Sequence, residues 1–380
     1  MNILTTLTYY RPHFSGLTVY AELLAQVLGE RGHRVTVLTS RHDATSPARE
    51  RRDGVEIIRL PVGLRVSKGV IMPSMPLWAL RLLPQMDALH LHLPQLDAAY
   101  LAVMARLLGK PVVLTYHCDL RLPEGLIHSL ANQVSHLANH VSFNFANAIV
   151  ANSRDYAENS THLRHHLSKL HAIYPPAQIL PITEMEQRAF NEKVLIQPGQ
   201  RIIGMAARLA TEKGVEYLAL ALPLVLQKHP TARVLFLGQH HNVFGEEAYA
   251  RRLAPLIESL GDRWQFLGVV SNEEKSAFFH ACEVSVLPSL NSTESFGIVQ
   301  IESMLCGTPV IASDIPGIRE PVTITGMGKL TPPADPTALA QAIIDVLDEP
   351  ERYHVDAQDI IRRFTPQSVA ETYERLFETL

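Results

Sequence analysis

At 380 residues the chain is too long for one ordinary hydrophobic core and suggests two domains of about 180 residues each. Hydrophobic residues at 47% and charged residues at 19% fit a well-packed soluble protein and exclude a disordered one, and no uncharged apolar run approaches the ~20 residues that span a bilayer. The net charge of −4 divides unevenly, with 18 Lys+Arg against 14 Asp+Glu in residues 1–190 and 16 against 24 in the remainder. That basic excess permits contact with an anionic membrane face, but without an interleaved aromatic pattern it excludes a nucleic-acid partner.

The opening MNILTTLTYYRP reads as a strand over residues 1–8 and lacks the basic leader of an export signal. Together with three cysteines scattered at Cys118, Cys282 and Cys306, this predicts a cytoplasmic protein, possible contact with the inner membrane face resting on the arginine-bearing stretch 49–68. A helix over 17–31 follows, its Leu23, Leu24, Val27 and Leu28 at helical spacing. Further strands are expected at 34–39, 88–93, 111–116 and 148–151. Short apolar strands separated by helices argue for a parallel sheet covered on both faces. Proline thickens at Pro175, Pro176 and Pro181, which marks a linker.

The alternation then restarts. Strands are expected at 201–205, 233–237, 265–267, 284–287 and 309–312, with helices near 246–260 and from Asp335-Pro336. A last helix from Pro366 carries Val369, Tyr373, Leu376 and Leu380 on one stripe. The fold class is therefore α/β, two doubly wound Rossmann-like domains whose strand carboxyl ends face a ligand across a cleft.

Four constellations point to chemistry. Glu294 and Glu302 bracket ESFGIVQIE, one in the loop after a buried strand and one inside the next helix. Eight residues of helix cover about 12 Å, the reach of a sugar joined through a diphosphate to a ribose. Between the acids, N–H groups near Phe296, Gly297 and Ile298 would offer an anion a helix N-terminus. In AARLATEKG, Arg208 and Lys213 leave a strand end beside another helix start, cations suited to a diphosphate; the alternative is a solvated turn with a Glu212–Lys213 surface pair. Ser15-Gly16 sits between the first strand and helix, where Gly16 either lets a ligand approach or only forms the turn. His117 and Asp119, just past a buried strand, either meet a substrate hydroxyl or serve the fold. There is no Asp-x-Asp motif and the histidine pairs lack a carboxylate or cysteine pattern, so no metal or other cofactor is expected.

With these residues in place, the chain resembles the retaining nucleotide-sugar glycosyltransferases of family 4, which have the GT-B architecture. The resemblance runs nearly end to end, through FSGLTVYAELLAQVLGERGHRVTVLTS, TYHCD, ANS, ARLATEKG, FLGVVSNEE and above all LPSLNSTESFGIVQIESMLCGTPVIASDIPGIREPV. It implies an acceptor-side domain over 1–180, a donor domain over 190–364 and a helix over 365–380 that packs back onto the first. It implies Arg208 and Lys213 on the donor diphosphate, Glu294 on sugar hydroxyls with Ser295, Phe296, Gly297 and Ile298 beside it, and Glu302 on the ribose. Gly16 would lie near the phosphates, His117 and Asp119 near the sugar and acceptor, and Val270 of GVV at the base. The implied reaction moves a sugar, from a UDP-sugar by preference, to a hydroxyl of a saccharide or lipid-linked acceptor with the anomeric configuration kept. Two departures stand out: Ser15-Gly16 replaces a glycine pair, and GQHHNVFGEE replaces a short glycine-rich loop. A sugar-nucleotide epimerase, a phosphorylase and a non-catalytic sugar-nucleotide-binding protein remain alternatives.

Overall fold

The computed structural model describes residues 1–13, 15–66, 69–119 and 126–380; Phe14 of the first loop motif and Lys68 of the basic stretch lie outside the described residues. The chain divides into two compact units, Met1–Pro176 with Phe364–Leu380, and Ala177–Arg363.

In the first unit the strands are β1 (Asn2–Thr6), β2 (Arg34–Ser40), β3 (Arg49–Arg52), β4 (Val55–Leu60), the separate antiparallel hairpin of β5 (Leu64–Val66) and β6 (Gly69–Ile71), then β7 (Ala88–Leu93), β8 (Val112–Tyr116), β9 (Ala148–Ala151) and β10 (Leu170–Ala172). Among the described residues the main sheet has the order β10-β9-β8-β7-β1-β2-β4-β3, parallel throughout except at its β3–β4 edge. Alternate side chains feed two cores. Leu4, Leu89, Leu91 and Leu114 pack on one face, and Ile3, Val35, Val37 and Val113 on the other. The second core takes in both the helix Gly16–Glu30 and the C-terminal helix Pro366–Glu378, through Tyr20, Leu24, Val369, Tyr373, Leu376 and Phe377. Leu380, expected on that buried stripe, is exposed, because the helix ends at Glu378 and Phe377 fills the place.

The second unit repeats the pattern with β11 (Arg201–Ala206), β12 (Ala232–Leu237), β13 (Trp264–Gly268), β14 (Val284–Leu287), β15 (Val310–Ser313) and β16 (Gly328–Thr331). Their order is β13-β12-β11-β14-β15-β16, all parallel. Val234 and Phe236 face one core, Leu235 and Leu237 the other. The α/β, doubly wound class expected from the sequence is the one observed.

Strand order fixes where a ligand can sit. It reverses between β1 and β7 in the first unit and between β11 and β14 in the second. At such a switch point the connections leave in opposite directions and open a crevice beyond the strand carboxyl ends. The segments that follow β1, β11 and β14 are those carrying Ser15-Gly16, Arg208 with Lys213, and Glu294.

Candidate functional site

In the second unit, the two loops at the switch point are joined by backbone. The chain after β11 makes a single 3-10 turn, Thr211–Lys213, then enters the helix Val215–Leu226. Gly214 bridges the two with φ +64°, and a β-carbon there would overlap the carbonyl oxygen of Pro288, so only glycine lets the turn lie against the loop after β14. The Leu290 N–H donates to the Glu212 carbonyl at 2.9 Å across the same seam. A third segment braces the turn. Glu246, from the loop after β12, accepts from the Thr211 N–H and hydroxyl at 3.0 and 2.8 Å. GQHHNVFGEE, unusual as a loop sequence, therefore supplies a clamp for the cationic turn.

This scaffold brings Lys213 and Glu294 together. Their side chains form an ion pair, each about one-fifth exposed (17% and 21%). The Glu294 Oε1 also accepts from the Gly297 N–H at 3.1 Å. Gly297, at φ +75°, caps the helix Ile298–Leu305, and a β-carbon there would overlap Leu287 and Gln300. The expectation of open N–H groups around Gly297 therefore needs correction. That of Gly297 is taken by the Glu294 carboxylate, which a helix N-terminus attracts as it would any anion. Phe296 buries its ring, and the Gln300 Nε2 donates to the Phe296 carbonyl at 2.8 Å and the Ile318 carbonyl at 2.9 Å, which locks the turn. Ser295 beside it is buried too, and Ile298 opens the helix. The surface pair of Glu212 with Lys213 is not what forms. Glu212 instead meets Arg208 at 3.4 Å, and Arg208 stays half exposed at 49%.

Glu302 lies one helical turn further in. It is 9% exposed, and its Oε1 accepts from the Lys275 Nζ at 2.6 Å. Val270, after β13, is half-buried against the apolar cluster that also receives Val299 and Cys306. Cys306 is pushed up to about 12, first by burial and further by the Glu302 carboxylate, so it stays a neutral thiol. Arg208, Lys213, Glu294 and the turn 295–298 thus form one constellation at the β11/β14 switch point.

In the first unit, Gly16 starts its helix behind the Ser15 cap, whose Oγ accepts from the Thr18 N–H at 3.2 Å. Its φ is ordinary and a β-carbon would meet nothing within 4 Å among the described residues, so neither its conformation nor those neighbours require glycine here. His117 sits at the end of β8, 7% exposed, its ring stacked on His92 at 5.2 Å with Nε2 bonded to His92 Nδ1 at 2.9 Å. Burial pushes His117 down to about 3, so its imidazole is neutral in the fold. His90 is likewise held at about 3, first by burial and then by His117, and His92 is lowered by burial and by both neighbours. His90 Nε2 meets the Thr115 hydroxyl at 2.8 Å, and the chain of hydroxyls continues through Tyr373 to Tyr20 at 2.7 Å each. Asp119 is committed to the fold. Its carboxylate accepts from the Tyr116 hydroxyl at 3.0 Å, the Ser160 hydroxyl at 2.7 Å and the Thr161 N–H at 3.0 Å.

These buried imidazoles make stability depend on pH. A histidine neutral in the fold but ordinary when unfolded lets the unfolded chain take up the proton first. Stability is then lost as pH falls through about 6.5, where the unfolded chain's histidines take up protons that the buried imidazoles do not. The thermal midpoint should fall steadily between pH 7 and 5.5, and more gently in His90→Gln. A midpoint flat across that window in the wild type would contradict the buried neutral state.

Comparison with known proteins gives the chemistry a family. The Glycosyl transferase 4-like domain model matches residues 15–176 and the Glycosyl transferases group 1 model matches residues 186–360. An uncharacterized glycosyltransferase of Methanocaldococcus jannaschii is 25% identical over 88% of this chain and 85% of its own. The phosphatidyl-myo-inositol mannosyltransferase of Mycobacterium leprae is 32% identical over 48% of this chain, a match that spans only 47% of that relative. Among solved structures, Anabaena HepE in complex with UDP is similar with a TM-score of 0.78 at 20% identity, over 100% of both chains.

Proposed function

We propose that this chain, which belongs to the group 1 and 4-like glycosyltransferases and has the GT-B fold, moves a hexose from a nucleotide-diphosphate sugar, by preference a UDP-sugar, to a hydroxyl of a saccharide or lipid-linked acceptor, with retention and without a metal. The single observation that carries the reading is the Lys213–Glu294 pair, a cation and an acid on two loops that the strand order brings to one switch point. The preference for UDP draws on the complex of HepE with that nucleotide.

In this reading Lys213 and Arg208 bind the diphosphate. Charge grows on that group as the glycosidic bond breaks, so fixed cations stabilise the transition state more than the ground state. Glu294 accepts hydrogen bonds from donor-sugar hydroxyls, and its bond to the Gly297 N–H sets its direction beforehand. The departing phosphate oxygen helps to take the acceptor's proton on the face it leaves, so no carboxylate nucleophile is needed. Glu302 accepts from the ribose hydroxyls, and Val270 lies under the base. The second unit is thus the donor domain and the first the acceptor-side domain, where His117 offers a neutral imidazole.

Incubation with a panel of UDP- and GDP-sugars and saccharide acceptors, followed for free nucleotide and glycosylated product, tests the reading. Release and transfer with one donor support it; no release with any of them would overturn it.

Gly16 provides a second check, because nothing among the described residues demands a glycine there. Gly16→Ala should leave the unfolding free energy within the roughly ±0.5 kcal/mol typical of neutral surface changes. It should lower kcat/KM roughly tenfold or more if a substrate group packs against that backbone. Unchanged kcat/KM would remove Gly16 from the site.

A further inference from the structure

We propose that Lys275 is a positioning residue that sets the nucleotide's ribose specificity by holding Glu302 in one orientation; the proposal rests on the donor-site reading above. Lys275 belongs to neither of the two charged motifs, and its place is fixed by local structure. The helix Asn272–Ala281 begins in a reciprocal cap, where the Ser271 hydroxyl accepts from the Glu274 N–H and the Glu274 carboxylate accepts from the Ser271 N–H. That cap fixes the first turn, and Lys275 follows directly on it, its own N–H donating to the Ser271 carbonyl at 2.9 Å. The ammonium then reaches the Glu302 Oε1 at 2.6 Å, joining two helices across 27 residues of sequence.

The consequence for Glu302 is specific. Its carboxylate is 9% exposed, and a nearly buried charge without a partner is costly. Lys275 both neutralises it and occupies one oxygen. The other, Oε2, makes no hydrogen bond among the described residues and stays within reach of solvent. One oxygen is anchored and one is left to accept. Val270, Val299 and Cys306 pack on one apolar cluster beside it, which places a hydrophobic base and a vicinal diol on the same part of the unit. A carboxylate with a single orientation tells ribose from its 2′-deoxy form, because the missing hydroxyl leaves that oxygen unpaired.

The test uses the full chain and titrates UDP, GDP and their 2′-deoxy counterparts by calorimetry. Wild type should prefer the ribonucleotide by about tenfold, the range of a hydrogen bond to a charged group. Lys275→Met should cut that preference at least fivefold, Lys275→Arg should keep it within twofold, and adding Lys275→Met to Glu302→Gln should lower it no further. A purely structural lysine would weaken both nucleotides equally, so an unchanged preference in Lys275→Met overturns the proposal while leaving the donor site intact. Failure of the wild type to bind either ribonucleotide overturns the donor site and this proposal with it. Should Lys275→Met not fold, Lys275→Leu, which likewise offers no donor, carries the same prediction.

Discussion

Glu294→Ala should lower kcat/KM for sugar transfer by ~2–4 kcal/mol, or about 30- to 1000-fold, while UDP binds as tightly as before or more tightly. The split follows from the ion pair. Lys213 is paired with Glu294, so a diphosphate must compete with a carboxylate for the same ammonium. Removing the acid releases the cation to the phosphates and removes the acceptor for sugar hydroxyls. Glu294→Gln should fall between, because the amide oxygen can still accept from the Gly297 N–H but no longer pairs with Lys213. Nucleotide titration beside steady-state kinetics separates the two effects. Near-normal turnover in Glu294→Ala would remove the residue from the chemistry.

Lys213→Ala should cost a similar ~2–4 kcal/mol in kcat/KM but, unlike the acid variant, weaken UDP binding as well. Arg208 then remains as the diphosphate's cation, half exposed and only loosely engaged by Glu212. The two losses should not add. Residues that share an ion pair couple, so Lys213→Ala with Glu294→Ala should fall short of the sum of the single effects by at least ~0.5 kcal/mol. Additive losses in the double variant, or full UDP affinity in Lys213→Ala, would mean that the pair seen in the fold is incidental to the site.

Much of this was legible in the residues because buried parallel strands announce themselves. β7, β9 and β14 run within the expected limits, and the loops that follow β11 and β14 stand out by placing charges at the ends of apolar runs. Edge strands did not stand out. β3 reads RERR and is mostly exposed, since one side of an edge strand has no sheet to pack on, and three-residue β10 is too short for a period to show. The helix Glu184–Lys193 carried its signature in Thr183-x-x-Glu186 but followed the prolines of the linker. Partner choice was the least visible layer. That Lys213 pairs with Glu294 and not with its neighbour Glu212, that Lys275 takes Glu302, and that Asp119 accepts from Ser160 and Thr161 all depend on contacts set by the fold rather than by adjacency. No sequence spacing encodes those pairings.

A crystal structure of the chain with bound UDP would decide the matter most directly. The diphosphate should lie within hydrogen-bond distance of the Lys213 ammonium and the Arg208 guanidinium, with the ribose hydroxyls on Glu302 and with Glu294 turned from Lys213 toward the position of the sugar. A nucleotide seated elsewhere, with the Lys213–Glu294 pair still closed, would contradict the assignment.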